Sequence, residues 1–205
     1  MKKTNVPLAV FDFDGTIIQG DSFLPFMRHM VGEFRYYRGI VRIFPWLTAY
    51  ALGRICNRTI KEKVVSCFLK GKRLQEIEQR AYEYALEYLP KKEKPEMRDR
   101  MQWHLEESHS LLLASASLLV YLKPWAEYRG FHGVCGAELE VDQKGIITGK
   151  IKGNNGFGPE KLEAVHDWLD GKNPSLTYAY GDSQGDRELL DWADVKIFRG
   201  KVLDN

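Results

Sequence analysis

The first apolar segment of the chain is a short hydrophobic run that ends in two carboxylates. Residues 8–11 read Leu-Ala-Val-Phe, and Asp12-Phe13-Asp14-Gly15-Thr16 follows directly. A continuous apolar run of this length is typical of a strand buried on both faces of a parallel sheet. Because ligands of open α/β sheets lie beyond the carboxyl ends of such strands, the run predicts a site at the end of the first strand.

After Thr16 the apolar residues recur at helical spacing as far as Ser108. We predict four or five helices, with a cap at Asp21 and an end at Gly32, a break at Pro45 that divides residues 33–55 into two helices, a cap at Asn57 and an end at Gly71, an end at Pro90, and a start at Pro95. A helical insertion at this point predicts a lid over Asp12 and Asp14. An unrelated helical domain is the alternative, which the return of strand patterns after the insertion disfavours.

Strand patterns return after residue 108. The pattern predicts a strand at residues 111–115 that ends in Ser115, a helix at 118–129, a short strand near Val134, an antiparallel hairpin at 139–150, a helix from Pro159 to Gly171, and strands at 176–180 and 195–198, the latter being the last. Strands that alternate with helices predict a Rossmann-like, doubly wound and mostly parallel sheet. We therefore predict an α/β core of residues 1–18 and 109–205, with an all-helical cap of residues 19–108.

Composition limits the functional classes. The 205 residues are 44% hydrophobic and 28% charged, as in ordinary globular proteins, and a net charge of +2 does not favour a nucleic-acid binder. Three cysteines, Cys56, Cys67 and Cys135, match no zinc spacing and indicate reduced thiols in a cytoplasmic protein. The apolar stretch before Asp12 is too short for a signal peptide, and no segment is apolar over the length of a bilayer.

Three predicted strand ends carry chemically active side chains. Asp12 and Asp14 follow the first strand, Ser115 the second, and Asp182 and Asp186 the strand at 176–180, while Lys161 opens a helix between the last two. Singly, Ser115 can cap a helix, Lys161 can be solvated, and Asp186 can favour a helix start. Together they suit phosphoryl transfer, with Asp12 and Asp182 as Mg²⁺ ligands and with Ser115 and Lys161 as donors to phosphoryl oxygens.

The order of these motifs resembles that of the haloacid dehalogenase superfamily of aspartyl-phosphate phosphatases, with Asp12 to Thr16, Ser115, Lys161 and Gly181 to Asp186 as its four motifs. The helical insertion resembles the type-one cap of that superfamily, and the nearest branch resembles the phosphoserine-phosphatase-like group. The resemblance implies Asp12 as nucleophile, Asp14 as acid and then base, and Ser115 and Lys161 as phosphoryl ligands. It also implies Mg²⁺ held by Asp12, the main-chain carbonyl of Asp14, and Asp182, with Asp186 supporting the metal or Lys161.

The substrate is less clearly indicated. Ser115 is followed by Ala116-Ser117 and Asp186 is preceded by Gly185, whereas phosphoserine phosphatases typically have two glycines and an Asn at these places, so phosphoserine is an alternative only. Aromatic residues and arginines alternate over residues 34–54, which resembles an interfacial helix on anionic lipid, and some relatives in this branch resemble phosphatidylglycerophosphate phosphatases. The rings can equally form the core of the cap and the arginines its solvated face. A small phosphate ester and a lipid phosphate therefore both stay open, as does peripheral contact with a membrane.

Three cap residues are candidate substrate contacts: Asp21 for a substrate ammonium group, and Arg58 and Lys63 for an anion. Two other functional classes also use an aspartate and a phosphate group on a related fold. A receiver-like signalling domain also uses a phosphorylated aspartate, but on a middle strand of a shorter chain without a cap. A non-catalytic phosphate-binding protein on the same fold is the other alternative, although the chain carries every side chain that the reaction needs.

Overall fold

A seven-stranded sheet with helices on both faces makes up the computed structural model, which describes residues 6–203. The strands are β1 Leu8–Phe11, β2 Ser110–Leu118, β3 Gly133–Val141, β4 Ile147–Lys152, β5 Thr177–Gly181, β6 Val195–Phe198 and β7 Lys201–Leu203. The α-helices are α1 Phe23–Val31, α2 Glu33–Ala51, α3 Asn57–Phe68, α4 Leu74–Glu83, α5 Pro95–Glu106, α6 Leu119–Tyr128, α7 Pro159–Leu169 and α8 Arg187–Trp192. A π-helical turn at Tyr84–Tyr88 and a 3₁₀ turn at Leu89–Lys92 follow α4, and a 3₁₀ turn at Gln184–Asp186 precedes α8.

The strand order is β4-β3-β2-β1-β5-β6-β7. The five inner strands run parallel, and the two edge strands β4 and β7 are antiparallel to their neighbours. This confirms the predicted mostly parallel α/β sheet. Because β1 lies between β2 and β5, the carboxyl ends of these three strands lie side by side.

Strand β1 is buried on both faces, as its unbroken apolar sequence predicts. Ala9 and Phe11 belong to the core cluster that includes most of the helices between β1 and β2. Leu8 and Val10 belong to a second cluster, formed with α7 and α8 on the opposite face. The central strand is therefore fixed in register, and so is the residue that follows it.

The segment between β1 and β2 contains five α-helices. The chain leaves the sheet near Ile18 and returns to it near Glu93, and the backbone of these two segments is paired. Gln19 N donates to Lys92 O (2.8 Å), and Lys94 N donates to Ile17 O (2.9 Å). Helix α5 follows this crossing and contacts the sheet, where His104 Nε2 hydrogen bonds to Tyr180 OH (2.9 Å). The division of the chain into a core and a cap stays a prediction.

The predicted break at Pro45 was wrong, because α2 continues through it. Proline lacks the N–H that would pair with the carbonyl of Val41, four residues earlier. Both residues are exposed, so the freed carbonyl lies on the solvent side of the helix, where water can satisfy it.

Several predicted boundaries also need correction. Asn57 is the first residue of α3 and Cys56 precedes it as the cap, the strand near Val134 and the first hairpin strand are one continuous β3, and β6 is followed by β7. Strand β2 runs three residues beyond Ser115. The start of the chain, on which the absence of a signal peptide was predicted, lies outside the described residues. Within residues 6–203, no helix has both the length and the hydropathy that crossing a bilayer requires.

Candidate active site

Asp12 is the first residue after β1 and is buried. Its backbone N–H donates to the carbonyl of Tyr180 on β5 (2.9 Å), so the sheet fixes its position. Its Oδ1 accepts from Lys161 Nζ (2.7 Å), and its Oδ2 accepts from Thr16 Oγ1 (3.2 Å). Burial raises the pKa of Asp12 to about 6, against the opposing effect of Lys161.

Lys161 lies in the first turn of α7 and bridges two buried carboxylates. Its Nζ also donates to Asp186 Oδ1, and the other oxygen of Asp186 accepts from Ser183 N (3.0 Å), Ser183 Oγ (2.8 Å) and Asp182 N (3.2 Å). Burial alone would lower the pKa of Lys161, but Asp12 and Asp186 outweigh it and raise that pKa. Burial would likewise raise the pKa of Asp186, and Lys161 outweighs it and lowers that pKa.

Asp182 follows β5 and completes an acidic cluster. One carboxylate oxygen from each of Asp12, Asp182 and Asp186 lies within 4.8 Å of the others. Burial, and then the charge of Asp186, raise the pKa of Asp182. Gly15 has a φ of +76°, and a Cβ there would collide with the Asp182 carboxylate, so glycine lets the two strand ends approach. Lys161 brings one positive charge to these three carboxylates, so the cluster keeps an excess of negative charge, and its hard oxygen ligands fit a divalent cation such as Mg²⁺.

Asp14 is held by two donors, one to each of its carboxylate oxygens. Ser22 N donates to its Oδ1 (2.6 Å), and the hydroxyl of Ser117 donates to its Oδ2. The hydroxyl of Ser22 in turn contacts Tyr121 OH (2.9 Å). Burial, followed by the charge of Asp21, raises the pKa of Asp14 to about 7. A carboxyl with this pKa can give and take a proton near neutral pH.

Ser115 lies buried within the carboxyl-terminal half of β2. Its Oγ accepts from Ser117 N (3.1 Å), and its own hydroxyl proton has no acceptor in residues 6–203. Gly156, with a φ of +68°, approaches so closely that a Cβ there would collide with the Ser115 carbonyl oxygen. The structure thus brings together all five motif side chains, those of Asp12, Asp14, Ser115, Lys161 and Asp182, with Asp186 behind Lys161.

Each of the three further residues predicted as substrate contacts has a partner within the protein. Asp21 Oδ2 accepts from Leu24 N (2.8 Å) at the start of α1. Arg58 donates to the backbone carbonyls of residues 151 and 153, both at 2.7 Å. Lys63 is exposed, with its Nζ 5.5 Å from the centre of the Trp46 ring.

Sequence reasoning missed Lys61, which lies between Arg58 and Lys63 on α3. Lys61 is buried, and its Nζ donates to the backbone carbonyl of Ala116 and to Asn155 Oδ1 (2.6 Å). Burial lowers the pKa of Lys61 to about 7. Position 61 lies on the apolar face of α3, next to Ile60 and followed by buried residues at 64, 65 and 68, and that spacing is a signal by which it can be found.

Comparison with known proteins identifies the family. A family model of haloacid dehalogenase-like hydrolases matches residues 9–191. The chain belongs to this family. The resemblance drawn from the four motifs is thereby confirmed, and so is the predicted class of enzyme, a hydrolase of the phosphatase type, while the type of cap stays a prediction.

Relatives of this haloacid dehalogenase-like hydrolase cover nearly its whole length. Protein CicA of Caulobacter vibrioides is 34% identical over 95% of this chain and 87% of its own. Phosphoserine phosphatase SerB1 of Mycobacterium tuberculosis is 27% identical over 92% of this chain and 63% of its own.

Two solved structures share the fold. A Bordetella pertussis protein of unknown function has a TM-score of 0.84 at 22% identity, covering 95% of this chain and 90% of its own. A substrate-bound phosphoserine phosphatase has a TM-score of 0.65 at 17% identity, covering 96% of this chain and 87% of its own. At these identities the two structures support the fold alone.

Proposed function

We propose that the protein hydrolyses a phosphate monoester through an aspartyl-phosphate intermediate, with Asp12 as nucleophile and Asp14 as acid and base. The observation that carries the proposal is the pairing of two unlike carboxyls one residue apart. Asp12, whose pKa is about 6, is paired with the Lys161 ammonium group, whereas Asp14, whose pKa is about 7, contacts only neutral donors among residues 6–203. A carboxylate that a cation holds in its charged form suits nucleophilic attack, and a carboxyl that titrates near neutral pH suits proton transfer.

The reaction has two displacement steps. An Asp12 oxygen attacks phosphorus and the ester P–O bond breaks, while Asp14 gives its proton to the departing alcohol oxygen. Asp14, now a carboxylate, takes a proton from a water molecule whose oxygen attacks the same phosphorus. The bond from Asp12 to phosphorus breaks, and inorganic phosphate leaves with Asp12 restored.

The remaining motif residues bind charge. Lys161 and the free hydroxyl proton of Ser115 are donors for phosphoryl oxygens, and Asp186 holds Lys161 in place. Mg²⁺ would be held by Asp12, the carbonyl of Asp14, and Asp182, with Asp186 in support. When bound, the cation supplies positive charge that lets the phosphate dianion approach this acidic cluster.

Two classes of substrate suit this site, a small phosphate ester and a lipid phosphate such as phosphatidylglycerophosphate. Phosphoserine is the second candidate function, because the SerB1 relative is named for that activity. Asp21, Arg58 and Lys63 stay predictions as substrate contacts. A non-catalytic phosphate-binding protein and a receiver-like signalling domain are the alternatives from other classes.

The test is Mg²⁺-dependent phosphate release, measured with wild type and Asp12→Asn. The substrates are phosphatidylglycerophosphate in mixed micelles, phosphoserine and a panel of soluble phosphate esters. Asp99→Asn, which changes an exposed aspartate on α5, is the matched control. We expect release by wild type and Asp99→Asn and at least a 10³-fold loss in Asp12→Asn, because no other group replaces a covalent nucleophile. Equal rates in all three proteins would refute the assignment of Asp12.

A further inference from the structure

Helix α2 carries an apolar face that points away from the protein. Phe34, Tyr37, Val41 and Phe44 follow one another at spacings of three and four residues, so they form one stripe, here called the α2 outer face. Their exposed fractions are 79%, 57%, 75% and 59%. The interpretation that the aromatic residues of this segment form the core of a cap was therefore wrong for Phe34, Tyr37 and Phe44. With Val41, they leave a large apolar patch in contact with solvent.

A row of arginines borders the α2 outer face. Arg35, Arg38 and Arg42 lie on α2 beside the stripe, and with Lys72 they line a cleft of about 380 Å³. No carboxylate of residues 6–203 forms an ion pair with any of these four cations. Residues 33–72 contain nine Lys and Arg but only two acids, in a chain whose net charge is +2. The segment that carries the α2 outer face thus has an excess of positive charge, and four of its cations line the cleft beside that face.

We propose that the α2 outer face docks on an anionic lipid bilayer. The apolar stripe would lie at the level of the acyl chains, and the arginine row would contact lipid phosphates. Aromatic and aliphatic side chains flanked by arginines are the composition of helices that lie in a membrane interface, and each basic residue near such a surface adds to the affinity.

The charge around the α2 outer face favours a lipid surface over a second copy of the chain as its partner. In a two-fold dimer, the same surface of both subunits meets itself. Two copies of the arginine row would then face each other with few acids to neutralise them. An anionic surface supplies that neutralisation, so the charges favour lipid over self-association. The proposal rests on the surface of α2 alone and is independent of the proposed catalytic function.

The first experiment measures binding of the full chain to sedimented vesicles in EDTA, without turnover. Phosphatidylcholine vesicles are compared with vesicles containing 30% phosphatidylglycerol. We expect binding only to the anionic vesicles, weakening as salt is raised. Failure of wild type to sediment with anionic vesicles at low salt would overturn the proposal, whatever the phosphatase assay gives.

Charge variants test the arginine row. Arg35→Gln, Arg38→Gln and Arg42→Gln together should weaken binding on the order of 100-fold, because each basic residue contributes about 1 kcal/mol at an anionic surface. The control carries Lys123→Gln, Lys172→Gln and Lys201→Gln, which remove the same charge from exposed positions elsewhere. Equal losses in the two triple variants would assign the binding to net charge and overturn the docking surface.

Polar variants test the stripe. Tyr37→Ser with Phe44→Ser should weaken binding at least tenfold at constant charge, whereas Tyr82→Ser should not, although Tyr82 is as exposed as Tyr37, each at 57%. All of these side chains are exposed, so the fold should tolerate the changes. An unchanged affinity of the double variant would overturn the insertion of the stripe. Dimerisation of wild type that the same variant abolishes would reassign the surface to a protein interface.

Discussion

Replacement of Lys161 by methionine should destabilise the protein in a way that depends on pH. The methionine keeps most of the aliphatic side chain but removes the ammonium group that lies 2.7 Å from Asp12 Oδ1 and also contacts Asp186. All three side chains are buried. Two carboxylates are then left in a site that also contains Asp182, with no positive charge between them.

The magnitude follows from the cost of leaving buried charges without their partner, which is about 3–5 kcal/mol. With a urea m-value of about 3 kcal/mol/M for a chain of this size, the unfolding midpoint should fall by roughly 1–1.7 M. The loss should grow with pH. In the variant, the folded-state pKa of Asp12 rises further above the unfolded value near 3.9, and that of Asp186, which Lys161 lowers in wild type, rises above it. Folding is therefore penalised further as pH rises above that value and is spared below it.

The assay is urea unfolding of wild type and Lys161→Met in EDTA at pH 5 and pH 8. Lys172→Met, at an exposed position after α7, controls for the change of residue type. We expect a larger difference in free energy of unfolding at pH 8 than at pH 5. A difference below about 1 kcal/mol at pH 8, or an equal difference at both pH values, would refute the reasoning about this ion-pair triad.

Two further changes test the packing around the site. Gly156→Ala should cost about 1–3 kcal/mol in thermal unfolding, because its Cβ would collide with the Ser115 carbonyl, whereas Gly153→Ala, with nearly the same φ but open space around its Cβ, should cost less; equal costs would contradict the clash. His104, hydrogen bonded to Tyr180, has its pKa lowered to about 4, chiefly by burial. The contribution of His104 to the free energy of unfolding should therefore be fully present above pH 6.5 and be lost as pH falls toward 4, by up to about 3 kcal/mol. Unfolding of His104→Gln, measured across the same pH range, should lack this dependence.

The strand-end side chains were predictable because their position follows from chain connectivity. Asp12 comes directly after a short apolar run of the kind typical of a buried strand, and Asp182 comes after another. In a parallel sheet both ends face the same edge. Lys161 was predictable with them, since it lies in the first turn of the helix between the hairpin and β5, and that turn lies at the edge of the sheet where Asp12 is found.

The donors to Asp14 were not predictable in the same way. Ser117 reaches Asp14 because β2 continues beyond Ser115, and Ser22 reaches it through a backbone N–H at the start of α1. The first contact depends on where β2 ends and the second on how the helical segment lies against the sheet, and no local sequence pattern records either. The predicted break at Pro45 was wrong for a related reason, since the effect of a proline depends on whether the carbonyl that loses its partner is buried or exposed.

These missed contacts explain how the helical segment and the sheet form one site. Ser22 and Lys61 both come from the segment between β1 and β2, and each contacts a residue or backbone group of the sheet side, Asp14 and Ala116 respectively. Movement of that segment away from the sheet would break both contacts, and it would remove one of the two donors that hold Asp14. In the proposed mechanism, proton transfer by Asp14 would therefore depend on this arrangement of the segment against the sheet. Helix α2 packs on α3 through Gly39, where a Cβ would collide with Phe68. A displacement of α2 on binding at its outer face would therefore be transmitted to α3, the helix that carries Lys61.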